Sequence, residues 1–204
     1  MSRQPQQKPL RPRKAPSQLR STETVDSIVE AAAQVLETGG FEGFNTNAVA
    51  KRAGVSIGSL YQYFPSKEAL TVALIHRETA RFYEDASGAL TQRSGKAALE
   101  YLISASVRQQ LQRPVLARLL DVEESRPELQ GAVAQPESFR SLLLAIVKRA
   151  KPKHPSPEVA AGDIFAIIRG MVDAAGERGE NDIEGLEFRL QAAVFGYLAR
   201  TETR

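Results

Sequence analysis

The 204-residue chain has no cysteine and no tryptophan, and only two histidines and two methionines. The lack of cysteine excludes a disulfide scaffold, a thiol nucleophile and thiolate metal sites, and it fits a reducing compartment. His76 and His154 lie far apart in the chain. Neither has a second His or Cys one helical turn away, so no metal site is expected. No apolar run approaches the roughly 18 residues of a membrane span. The basic N-terminus lacks the apolar segment of a secretory signal, and a cytoplasmic protein without membrane contact is expected. There is no GxSxG, P-loop or GxGxxG pattern, and no carboxylate pair with a defined role. No enzyme, no catalytic residue and no cofactor is therefore expected.

Acidic residues are missing from the first twenty positions. That stretch carries Arg3, Lys8, Arg11, Arg13, Lys14 and Arg20, a charge of +6, whereas the rest of the chain sums to −3. Residues 1–19, rich in Pro, Gln, Arg and Lys, read as a disordered basic arm. Two roles fit it: an arm that tracks phosphates or a minor groove, with Arg11, Arg13 and Lys14 nearest the domain, or a solubilising leader.

What the chain does have is helical periodicity without any strand pattern. Val25, Ile28, Val29, Ala32, Val35 and Leu36 form one stripe over 21–38. Gly39-Gly40 ends it, and Phe41 and Phe44 are expected to plug the gap to the next helices. Asn45-Thr46 opens a short helix, Gly54 stops it, and Ser56 caps a second one running from Ile57 to Phe64. Leu60 and Phe64, four apart, face inward, and Pro65 ends the pair. Two short helices around a glycine turn make a helix-turn-helix, whose second helix enters the major groove.

The side left outside by Leu60 and Phe64 carries groups suited to DNA. Gln62 can bond two atoms of adenine, and Ser59 can bond either kind of base edge. Gly58 allows close backbone approach, and Ile57 suits a thymine methyl. Tyr61 and Tyr63 offer hydroxyls to phosphates, which fix register rather than sequence. Ser56, the cap, is counted with them.

From about Thr22 to Arg77 the chain resembles the DNA-binding domain of the TetR family of bacterial transcriptional regulators. The matching residues are Gly40-Phe41, Gly43 to Asn47, Val49-Ala50, Ala53 to Ser56, Gly58 to Phe64 and Ser66 to Leu70. The resemblance implies that Thr46 bonds a phosphate, that Asn47 reaches a base or the backbone, and that Lys67 adds a charged phosphate contact. It also implies an inverted-repeat operator in double-stranded DNA bound by a homodimer, usually for repression. A small-molecule effector held in the C-terminal half would release the DNA.

Beyond this domain the apolar pattern continues in helices broken at Ser87-Gly88, Ser94-Gly95, Arg113-Pro114 and Arg126-Pro127. Residues 128–134 are ambiguous, and Pro136 opens the next helix. Lys148 to Pro157, KRAKPKHPSP, reads as a solvated interhelix loop rather than a nucleic-acid patch. The last two helices, from Glu158 and from Ile183, are apolar on more than one face, as a helix is when it also packs on a second chain. The expected interface residues are Phe165, Ile168, Met171 and Val172 on the first, and Leu190, Val194, Tyr197 and Leu198 on the second. Candidate effector contacts are Tyr101, Arg108, Phe139, Phe165 and Arg169, aromatic or charged residues on mainly apolar helices.

The expected architecture is all-α with about nine helices. Its parts are the arm (1–19), a three-helix helix-turn-helix domain (20–66), a connecting helix (67–86) and a larger C-terminal helical regulatory and dimerisation domain (87–204).

Overall fold

The computed structural model describes residues 19–133, 137–151 and 154–200. Residues 1–18 of the N-terminal arm, Pro136 and the Pro152-Lys153 part of the basic loop lie outside the described residues, and Leu19, counted with the arm, already belongs to the first helix. Among those described, the chain is all-α: ten helices, nine of them seven residues or longer, and a 3-10 turn at Gly88–Thr91. The tenth helix is the single turn Pro127–Gln130, in the stretch where the sequence was ambiguous. Two compact units are present. One takes Met1–Glu78 with Leu119–Ala134, the other Thr79–Arg118 with Gln135–Arg204.

The first unit opens with α1 (Leu19–Gly43), interrupted at Gly40 by a left-handed backbone (φ 57, ψ −162). That conformation costs glycine little, and it breaks the helical phase. Of the two rings expected to plug the gap, only Phe44 does so, at 2% exposure, while Phe41 stays at the surface. α2 (Thr46–Ala53) starts under the Asn45 side chain, which accepts from the Ala48 amide at 2.9 Å. It ends at Gly54, left-handed at φ 67. α3 (Ile57–Tyr63) starts under Ser56, whose hydroxyl accepts from the Ser59 amide. α4 (Lys67–Ser87) starts under Ser66, which accepts from the Ala69 amide at 3.1 Å. Ile28, Leu36, Phe44, Val49, Leu60, Phe64, Leu70 and Leu74 are fully or almost fully buried. His76 donates through Nε2 to the Ala132 carbonyl at 2.7 Å, a structural bond rather than a ligand position.

The second unit is built on α5 (Gly95–Gln112), which packs on α8 (Glu137–Ala150), α9 (Pro157–Glu177) and α10 (Ile183–Arg200). α6 (Pro114–Glu124) follows the break at Arg113 and runs from this unit into the first at Leu119, and α7, the Pro127–Gln130 turn, belongs to the first unit. The core of this unit includes Leu99, Leu102, Ile103, Val107, Ile146, Val147, Ile164, Leu186, Leu190 and Val194. The basic stretch at Lys148 is helical up to Ala150. Arg149 there donates to the Leu90 and Gln92 carbonyls at 2.9 and 2.6 Å, so it clamps the end of α8 onto the 3-10 turn that precedes α5, and the two helix ends meet at Gly95.

This close approach requires glycine at position 95. A β-carbon there would collide with the Arg149 and Ala150 backbone. Gly95→Ala should lower stability by roughly 1–3 kcal/mol, the cost of overpacking. Gly131→Ala, in open space, should stay within about 0.5 kcal/mol. Urea midpoints check both, and an unchanged Gly95→Ala midpoint would disprove the close contact.

Candidate nucleic-acid interface

α3 has seven residues and about two turns. Its inner positions, Leu60 and the following Phe64, are at 0% exposure. Ile57, Gly58, Tyr61 and Gln62 are exposed, and Ser59 and Tyr63 are half-buried. On α2 the buried pair is Val49-Ala50, while Asn47, Lys51 and Arg52 are exposed and Thr46 is half-buried. The residues singled out from sequence therefore lie on the non-core side of the helix-turn-helix.

Specific bonds organise this side. The Thr46 and Tyr61 hydroxyls are 3.1 Å apart and share a hydrogen bond between α2 and α3. One proton of such a pair is spent on the internal bond, and the other is available to an anion. Ser56 and Ser59 pair through their hydroxyls at 2.8 Å, while Ser56 also caps α3. Ser56 thus fixes the helix start.

Sequence reading did not anticipate how the cations are held. Arg52 donates from Nε to Gln34 Oε1 at 2.7 Å. Gln34 Nε2 donates to Glu30 Oε1 at 3.1 Å, and Glu30 Oε2 pairs with Arg77 at 2.9 Å. A chain of polar contacts so joins α2, α1 and α4 within the first unit. The Glu30/Gln34 spacing of four was legible as a helical pair. The tie to Arg52 and Arg77 was not, since it depends on how three helices pack. Lys67, the first residue of α4, places its ammonium 5.1 Å from the centre of the Phe44 ring.

In the second unit the structure brings together four of the five candidate effector residues as two groups. Phe139 stacks on Tyr83 at 5.1 Å and meets Phe82 at 5.6 Å and Phe165 at 5.8 Å. Tyr101 and Arg108 converge on Asp85, donating to it at 2.9 and 2.8 Å. Arg169 is elsewhere, exposed and paired with Asp173 at 3.4 Å. Asp85 had no sequence signal, being one acid among many on an exposed helix end.

The eight interface candidates divide. Ile168, Val172, Leu190, Val194 and Leu198 are buried in the core of their own unit. Phe165, Met171 and Tyr197 are half-buried. The Tyr197 hydroxyl donates to Asp163 at 2.6 Å, and burial together with this carboxylate pushes the phenol up to about 12. On the opposite side α9 exposes Val159, Gly162, Ala166 and Gly170, and α10 exposes Phe188, Ala192, Gly196 and Ala199. Phe188 is 73% exposed.

Partial burial tends to raise the Asp85 carboxyl, but the bonds from Arg108 and Tyr101 and the Arg108 charge outweigh it, and the group sits below its ordinary value. A carboxylate depressed on folding stabilises above its unfolded pKa of about 3.9, and that contribution vanishes as pH falls through the folded value. The stability gap between wild type and Asp85→Asn should therefore be constant near neutrality and close below about pH 4. Urea midpoints across pH 2–7 (roughly the span of the titration) check this, and a gap that persists at the acid end would disprove it.

Comparison with known proteins adds an independent line. Residues 28–74 match the profile of bacterial regulatory proteins of the tetR family, and residues 96–198 match the tetracyclin repressor-like C-terminal domain. The HTH-type transcriptional repressor KstR of Mycolicibacterium smegmatis is 44% identical over 54 residues, 26% of this chain and 26% of that protein. The match thus spans about a quarter of the length of that relative. The fatty acid degradation regulator FadR of Bacillus halodurans superposes with a TM-score of 0.74 at 22% identity, covering 90% of this chain and 97% of that one. FadR of Bacillus subtilis, in complex with stearoyl-CoA, gives a TM-score of 0.72 at 21% identity over 83% and 96% of the two chains. No helix among the described residues is long and apolar enough to cross a membrane. With both halves matched, the second over half of the chain, the protein belongs to the TetR family of transcriptional regulators, a family without enzymatic activity.

Proposed function

We propose that this chain is a sequence-specific repressor that binds an inverted-repeat operator as a homodimer and is released by a small-molecule effector. The observation that carries the reading is the exposed polar row on α2 and α3, with Thr46 and Tyr61 tied together across them. Thr46, Tyr61, Tyr63 and Lys67 serve phosphates and so set register. Asn47, Ile57, Gly58, Ser59 and Gln62 meet base edges, with Gln62 the strongest discriminator. A two-turn reading helix spans few base pairs, and pairing two copies on a two-fold axis supplies the missing affinity.

Pairing is assigned to the exposed sides of α9 and α10. Residues already buried in the core of their own unit have little or no area left to offer a partner, whereas Phe188 and the glycine and alanine rows do. Small residues let two helices approach closely, and the Phe188 ring is an apolar group a second copy would cover. The Phe82, Tyr83, Phe139 and Phe165 cluster suits an apolar effector. The Bacillus subtilis relative solved with stearoyl-CoA makes a long-chain acyl-CoA the first compound to test. An effector that favours one spacing of the paired DNA-binding units over another would shift operator affinity by that difference.

Tyr61→Ala and Lys67→Ala should each weaken binding to the DNA upstream of the protein's own gene by about tenfold or more, as loss of a phosphate hydrogen bond implies. Both should remain dimeric. Mobility shifts and sedimentation measure the two properties, and unchanged affinity removes that residue from the contact set. Phe188→Glu, which buries a charge in the pairing surface, should yield monomers at micromolar concentration. A variant that stays dimeric would place the interface elsewhere.

A further inference from the structure

We infer that Phe44 is a positioning residue for DNA binding: its ring holds the Lys67 ammonium in place for a phosphate. The inference rests on the reading of Lys67 as a phosphate contact. It adds a residue that lies wholly inside the domain and touches no DNA.

Lys67 stands where a cation is unwelcome. It is the first residue of α4, and the positive end of the helix dipole disfavours a cation in the first turn. A long flexible side chain there would point away and sample many rotamers. Instead its ammonium lies 5.1 Å from the Phe44 ring centre, within the range at which the negative face of an aromatic ring attracts a cation. The ring itself cannot move aside. Phe44 is 2% exposed and sits between the break at Gly40 and the Asn45 cap of α2. Core packing around the ring therefore fixes the location of the charge.

The type of partner matters. An ammonium has three donors and no acceptor. A carboxylate partner would consume donors and repel an incoming phosphate. A ring face attracts the charge without taking a lone-pair bond, and it carries no net charge. Among the described residues no acceptor is hydrogen-bonded or ion-paired to Lys67. Its donors therefore stay free for phosphate oxygens. Arg77, by contrast, is committed to Glu30 and Glu78. Fixing a lysine on binding costs rotamer entropy, and a side chain already held on the ring loses less.

Phe44 also precedes Asn45 and Thr46 in the chain, so its ring lies at the start of α2. One buried side chain therefore links the first residue of α4 to the end of α2 that carries Thr46. Register between the Thr46–Tyr61 hydroxyl pair and the Lys67 charge then depends on a single rigid ring.

The test uses the full chain and the duplex that the wild-type protein itself enriches from a random-sequence pool. Pentafluorophenylalanine at position 44 keeps nearly the shape of the ring and reverses the sign of its face. It should weaken binding about three- to tenfold, in line with the loss of one cation–π contact. Mono- and difluoro rings should fall between. The slope of log affinity against log salt should become shallower by up to about 0.9 per lost phosphate contact. In a Lys67→Met background the same ring series should have no effect. Phe44→Leu removes the ring face and some core volume, so it should weaken binding as well, and it should lower the melting point, which the pentafluoro ring should not.

Three results would overturn the inference. One is wild-type affinity with the pentafluoro ring. A second is an equal loss from that ring with and without the Lys67 ammonium. A third is tighter binding, which would make the ring a trap for Lys67 rather than a support. If Lys67→Met itself leaves binding unchanged, the assignment of Lys67 as a contact fails first. If no duplex is enriched, the DNA-binding reading fails as a whole.

Discussion

A seven-residue helix does not hold its shape in water, since isolated helices shorter than about 12–15 residues are marginal at best. α3 exists because Leu60 and Phe64 are buried and Ser56 caps its first turn. Every group on its outer side depends on that anchoring. Two fully buried side chains contribute about 1.5–3 kcal/mol each, against a helix whose own propensity is poor, with Gly58 and two tyrosines among its seven residues. The short recognition element is thus a product of tertiary packing. That makes its orientation as rigid as the core beneath it and suits a surface that must match fixed base edges.

The charges around this element are restrained in unlike ways. Arg52 and Arg77 are joined through Gln34 and Glu30, with amide and carboxylate oriented so that each donor meets an acceptor. Lys67 rests on a ring. The first arrangement ties helices together: the Arg77 charge is answered by the Glu30 and Glu78 carboxylates, whereas the exposed Arg52 bonds a neutral amide. The second leaves a charge unanswered. In a domain whose reading helix holds no Lys or Arg, Arg77 is held within the scaffold, while no carboxylate among the described residues is paired with Arg52 or Lys67.

The second unit shows a similar division between inside and outside. α9 and α10 are apolar around much of their circumference. One side of each enters the core, through Ile164, Ile168 and Val172 on α9 and Leu186, Leu190 and Val194 on α10. The other side is a row of small residues with Val159 and Phe188 at its edges. A helix with two apolar sides has two faces to cover, and it is the outer faces of α9 and α10 to which the proposed pairing is assigned. The Asp85 pair with Arg108 and Tyr101 holds the end of α4 to α5. The carboxylate is the species that both donors favour, so the tie weakens as that group is protonated.

The sequence by itself determined the all-α class and the helix starts and stops at Asn45, Gly54, Ser56 and Pro114. It also determined the inward pair Leu60 and Phe64, because capping, left-handed glycine and 3.6-residue periodicity are local physics. The resemblance to the TetR family was legible in the same stretch, where many residue types are fixed by one compact motif. Only the tertiary structure decided which side of α9 and α10 enters the core. An apolar residue reads the same whether its own chain or another covers it, so Leu190 and Val194 read as interface positions and the exposed Phe188 did not stand out. Tertiary packing likewise decided that Phe44 rather than Phe41 goes in, that Asp85 gathers Tyr101 and Arg108, and that Arg169 stands apart. Arg77 and Glu30, Lys67 and Phe44, and Arg108 and Asp85 are contacts between residues 23 to 47 positions apart. No local pattern encodes them, because they follow from how whole helices pack.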